Sequence, residues 1–146
     1  MARTLSDLTS QSVAVDDGTI ATFFAAGDAI MTPYPAAPAK ATITEVYIDP
    51  ATGVARVQWS KGEAPRGVGS PVSVPPSLIG RDPVTNAILP GQYLIYSEVS
   101  YLYKPTIGYV MAKDGNGINL SDVAYTRPRQ QPCVFYPAPV PLCPTQ

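Results

Sequence analysis

The chain of 146 residues contains no histidine. That removes the commonest general base and metal ligand. Charge is also scarce. Asp, Glu, Lys and Arg make up 14% of the residues, well below the usual quarter. Ten Lys and Arg nearly balance eleven Asp and Glu, so nothing pulls the chain electrostatically toward nucleic acid or an anionic membrane. No run of about 18 apolar residues is present to span a bilayer. No secretory signal is visible either. Cysteine is limited to Cys133 and Cys143.

What is present is a 45% hydrophobic content and 17 prolines. The length favours one domain with a real core. Low charge and high proline fit a secreted or periplasmic protein better than a cytosolic enzyme. That location requires an upstream segment that has been removed, with Met1 an artificial start. The two cysteines flank a stiff, ligand-poor segment, which argues against a metal site. A disulfide would pin the proline-rich tail, remove about 2–3 kcal/mol of unfolded-state entropy, and imply an oxidising compartment. Two free thiols are the alternative.

Periodicity places the elements. Residues 2–11, ARTLSDLTSQ, are mildly amphipathic but too short for a stable isolated helix, and read as the last turns of a longer one. Asp16-Asp17 offers an N-cap to a helix over 16–32, which should stop before Pro33. Residues 34–40 form a linker. A strand over 42–48, a turn at Asp49-Pro-Ala-Thr-Gly53 and a strand over 54–60 make a hairpin. Clean alternation puts Ala55, Val57 and Trp59 on one face and Arg56 and Gln58 on the other.

Residues 61–91 are rich in Gly and Pro, with a short edge strand over 71–75 and a helical turn at 77–80. The tyrosine-rich strand 92–103 is apolar on both faces, which makes it interior. Tyr93, Ile95, Val99, Tyr101 and Tyr103 share one face; Leu94, Tyr96, Glu98 and Leu102 share the other. Asp114-Gly-Asn-Gly117 signals a turn before the last strand, 118–126. Helices followed by strands indicate an α+β fold with N-terminal helices on a four- or five-stranded antiparallel sheet. In this reading 1–130 is a single head and 131–146 a proline-rich tail. Phe23, Phe24 and Ile30 of the second helix pack on Trp59 and the tyrosines.

Sites are weighed against simpler roles. Glu98 and Asp122 fall on strands that this reading makes neighbours, which keeps a hydrolase formally open. Nothing in the spacing gathers carboxylates, and each is expected to pair with a nearby Lys or Arg. The 114–117 turn faintly resembles a calcium loop, but Tyr125 stands where the twelfth-position acid belongs. No catalytic residue, metal site or cofactor is expected. Tyr96 and Tyr125 could offer a binding platform, and Arg127 and Arg129 could meet a partner's carboxylates. Sheet packing and a solvated chain end are the simpler accounts.

The segments ARTLSDLTSQ (2–11), AIMTPYP (29–35), ITEVYIDPATGVARVQWS (43–60), YLIYSEVSYLYKPTIGYVM (93–111) and INLSDVAYTRPRQ (118–130), in this order, resemble the periplasmic part of a TadE/TadG-like protein of the tight-adherence (Flp-type) pilus system. The resemblance implies a minor pilin or pseudopilin without enzymatic activity. Such a protein initiates or supports pilus assembly, and hence adhesion and biofilm formation. Its partners would be other pilin and pilus-assembly proteins. It would sit at the periplasmic face of the inner membrane or in the pilus, anchored by an apolar helix ahead of 2–11. The tail 131–146 is longer and richer in proline than that pattern. A ligand- or glycan-binding adhesin head is the alternative function.

Overall fold

The computed structural model describes residues 1–104, 117–137 and 143. Its elements run α1 (Ala2–Ser10), α2 (Asp17–Ala29), β1 (Ala39–Ile48), β2 (Ala55–Gly62), β3 (Pro71–Val72), a 3-10 turn (Pro76–Leu78), β4 (Gln92–Tyr103) and β5 (Ile118–Thr126). The strands form one antiparallel sheet in the order β3-β2-β1-β4-β5. The fold is therefore α+β with its helices at the N-terminus. The turn at 114–116 lies outside the described residues.

Local chemistry sets several boundaries. Asp16 caps α2, its Oδ1 accepting from Thr19 N at 2.7 Å, which satisfies one of the free amides of the first turn. The β1–β2 hairpin closes through Asp49, whose carbonyl accepts from Gly53 N at 2.8 Å. Gly53 sits at φ +74, a conformation that a side chain disfavours. β4 pairs with β1 on one side and β5 on the other, the interior position that its two apolar faces require.

The helices are layered in an unexpected order. α1, rather than α2, lies on the sheet, over β4 and β5. Its buried face is Ala2, Leu5, Ser6, Thr9 and Ser10. The hydroxyls are accommodated locally: Thr9 donates to Leu5 O at 2.8 Å and Ser10 to Asp7 O at 2.7 Å. Ser6 reaches Ile95 O and the Thr126 hydroxyl. Small residues on the sheet, Ala41, Ser97 and Ala124, leave room for the helix. α2 packs on α1 with Gly27 against Met1 and Leu5. Phe23 and Phe24 flank the core, but Ile30 is 52% exposed, because α2 ends at Ala29 and Ile30 begins the turn that follows.

The sheet carries apolar residues on both sides. The helix face holds Ile43, Trp59, Ile95 and Val99 with Leu5, Val15 and Ile20. The opposite, loop face holds Val46, Ile48, Ala55, Val57, Leu94 and Tyr96, covered by Val72, Val74, Leu78, Ile79 and Ile88. Gln92 staples this covering segment, accepting from Gly80 N at 2.6 Å and donating to Leu89 O at 2.6 Å. Much of 61–91 is thus the second cover of the sheet, although Val68 and Val84 stay exposed.

Alternation along β2 fails at one point. Glu45 pairs with Trp59 but Val46 pairs with Val57, so Gln58 is the extra residue of a bulge. A bulge turns the side-chain sequence over by one position. Ala55 and Val57 face the loops while Trp59 faces the helices, which corrects the expectation that all three share a face. Deleting Gln58 should force Trp59 off the helix face or slip β2. The expected loss is about 3–5 kcal/mol in urea unfolding, the range for removing a large aromatic side chain from a core. Gln58→Ala, which keeps the residue count, should cost under about 1 kcal/mol. A deletion variant as stable as the parent would contradict the bulge.

Candidate functional site

α1 runs antiparallel to β4. Ser6 reaches Ile95 O, and Ala2 joins Val99 in one apolar cluster. β4 and β5 therefore continue past the start of the helix. There Tyr101, Tyr103 and Leu120 line an open groove of about 420 Å³ with Met1, Met31 and Tyr34. Leu120 is 52% exposed and Tyr34 58%. A second groove of about 430 Å³ adjoins it, sharing the three tyrosines and adding Pro35, Pro38 and Lys104. Strand alternation had placed Tyr101 and Tyr103 on one face. It could not place them beyond the end of α1, which depends on how far the helix extends along the sheet.

The four expected contact residues do not share a surface. Tyr96 and Tyr125, opposite each other on β4 and β5, stack with centroids 4.9 Å apart on the loop face. Tyr96 is nevertheless buried. The Tyr125 hydroxyl reaches Ser73 O, and Arg127 donates to Leu78 O at 2.8 Å, so both tie the covering segment down. Arg129 turns the other way, ion-pairing with Asp7 of α1, while its amide donates to Ser10 O at 2.8 Å. Arg127 and Arg129 thus each hold a different layer.

Glu98 and Asp122 both line an open pocket of about 520 Å³, but they do not pair with each other. Glu98 stands opposite Val123, and Asp122 opposite Val99, so they point to opposite faces of the sheet. Glu98 is gripped by Arg66, whose Nε and Nη2 donate at 3.0 and 2.7 Å. The guanidinium also lies 5.4 Å from the Tyr96 ring centre. Burial works against ionisation of Glu98, but the Arg66 contacts together with a Tyr96 hydrogen bond outweigh it and hold the carboxyl below its ordinary value.

Another carboxyl was hidden by its surroundings in the sequence. Glu45, in the middle of β1, is 1% exposed. It accepts from Val134 N at 2.5 Å, and Trp59 Nε1 donates to Val134 O at 2.8 Å. The tail crosses the helix face here. Val15 N donates to Phe135 O at 2.7 Å and Phe135 N to Val13 O at 3.1 Å. Cys133 and Cys143 form a disulfide, packed with Tyr47, Tyr93 and Phe135. Burial pushes Glu45 up to about 8, against the opposing effect of Val134 and Trp59. Alternation alone puts Glu45 between Ile43 and Tyr47 on one face, the signal that could have exposed it.

No family model, curated protein or solved structure matches the chain.

A depressed carboxyl such as Glu98 adds stability above its unfolded value, and that contribution is lost as pH falls through the folded value. Arg66→Ala should raise the Glu98 value, since burial is then opposed by the Tyr96 hydrogen bond alone. It should cost no more than about 1 kcal/mol, because the pair is part-exposed and screened. NMR titration of the Glu98 carboxyl checks the direction, and urea unfolding checks the size.

Proposed function

We propose that this domain is the extracytoplasmic head of a TadE/TadG-like pilus-assembly protein that works by docking. The observation that carries the reading is the apolar groove ahead of α1. An apolar helix running into α1 from its N-terminal side would extend the buried stripe of Ala2, Leu5 and Thr9 by a turn or two. Its inward face would then lie on Tyr101, Tyr103 and Leu120. The groove therefore suits the helix that would carry the head in the membrane or in the fibre. The Cys133–Cys143 disulfide suits an oxidising compartment. The sequences of 2–11, 29–35, 43–60, 93–111 and 118–130, in that succession, supply the family resemblance.

Deleting the gene in the organism that carries it is expected to abolish pili and surface attachment. A wild-type copy should restore both. A Leu120→Asp copy should not, although Leu120 is half exposed and the variant should keep its fold and disulfide. Normal piliation in the deletion strain would overturn the reading.

The adjoining groove favours a second reading, a glycan-binding adhesin head. Tyr34 and Tyr103 with Lys104 combine stacking surface with polar tips, as sugar sites do. Binding on a glycan array that Tyr103→Ala removes would support it. An array without signal would leave the assembly role alone.

A further inference from the structure

The tail residues Cys133 to Tyr136 form a strap laid over the helix face of the sheet. Cys133, Val134 and Phe135 are buried. Two side chains of the sheet grip one residue of the strap: Glu45 takes the Val134 N–H and Trp59 gives its indole N–H to the Val134 carbonyl. Backbone bonds to Val13 and Val15 hold the next residue. At the outer end the Tyr136 hydroxyl donates to Asp17 at 2.7 Å. Lys61 pairs with Asp17 at 3.0 Å and lies 4.3 Å from the Tyr136 ring centre.

We propose that this strap is gated by the protonation of Glu45: it is locked while the carboxyl is neutral and loosened when the carboxyl ionises. The physical reason is desolvation. The groups around this carboxyl are the Val134 amide of the strap, the Trp59 indole of β2 and the phenols of Tyr93 on β4 and Tyr47 on β1. The nearby face of α1 presents Thr9 and Ser10, both neutral. No cation acts on Glu45 among the described residues. A carboxylate there lacks a counter-charge, and an unpaired buried charge is costly. Lifting the strap admits water and removes that cost without unfolding the sheet.

Glu45 titrates at about 8 in the closed form and at an ordinary carboxylate value once solvated. Closing the strap therefore takes up a proton between those values. Closure is favoured fully below the ordinary value. It weakens about tenfold per pH unit as pH rises, and the effect levels off above 8. Tyr93, Asp17 and Lys61 are shifted away from this window. Tyr93 is raised by burial and by the Glu45 charge to about 12. Asp17 is lowered through Tyr136 and Lys61, and Lys61 is raised through Tyr136 and Asp17.

Trp59 is the chain's single tryptophan, so its emission reports on the site where the strap is seated. Emission is recorded from pH 5 to 9.5 on the disulfide-bonded protein and on Glu45→Gln, which keeps an acceptor for Val134 N–H but cannot ionise. The expected result is a red shift on the alkaline side in the parent, with secondary structure retained, and a flat profile in the variant. A flat parent, or the same red shift in Glu45→Gln, would overturn the proposal. If the variant does not fold, carbon-13 NMR of the parent decides. A Glu45 carboxyl that titrates near 8 together with the Val134 amide supports the gate, and one that titrates in the ordinary carboxylate range refutes it.

Discussion

One extra residue in β2 organises the helix side of the molecule. Without the bulge at Gln58, Trp59 would follow Ala55 and Val57 to the loop face. With it, Trp59 stands across from Glu45 on the helix face. The two side chains then hold the amide N–H and the carbonyl of Val134. That grip seats the strap, and the strap brings Phe135 to the α1–α2 connection through Val13 and Val15. The disulfide closes the tail over Tyr47 and Tyr93. A local irregularity in hydrogen bonding thus sets which residues of the C-terminal tail become core.

The rest of the architecture gives the sheet a cover on each side and leaves one end open. α1 lies close to β4 and β5 because its inward face is small and its hydroxyls bond locally. Its neighbour α2 braces it through Gly27. On the other side, Gln92, Tyr125 and Arg127 hold the 61–91 segment over Leu94 and Val57. The strands extend further than α1 does, so Tyr101, Tyr103 and Leu120 remain uncovered by it. The docking proposal rests on that mismatch in length.

Elements governed by local chemistry were legible in the sequence. The Asp49–Gly53 turn, the Asp16 cap and the span of β4 each depend on residues within a few positions of one another. Features governed by tertiary partners were not. Residues 54–60 alternate cleanly, and a bulge leaves no mark on such a pattern. The face of α1 reads as polar because Ser6, Thr9 and Ser10 satisfy their hydroxyls only once the helix exists. Val134 and Phe135 sit among prolines and read as tail, yet they are buried. Tyr96, Tyr125, Arg127 and Arg129 read as candidate partner contacts in the sequence; the contacts they make in the described residues are with the chain itself.

The most direct test of the docking account is photo-crosslinking from the groove in living cells. A benzophenone side chain at position 103 of the full-length protein is predicted to crosslink to an apolar helical peptide, identified by mass spectrometry. Crosslinking that arises only from a probe on the loop face, with none from position 103, would contradict it.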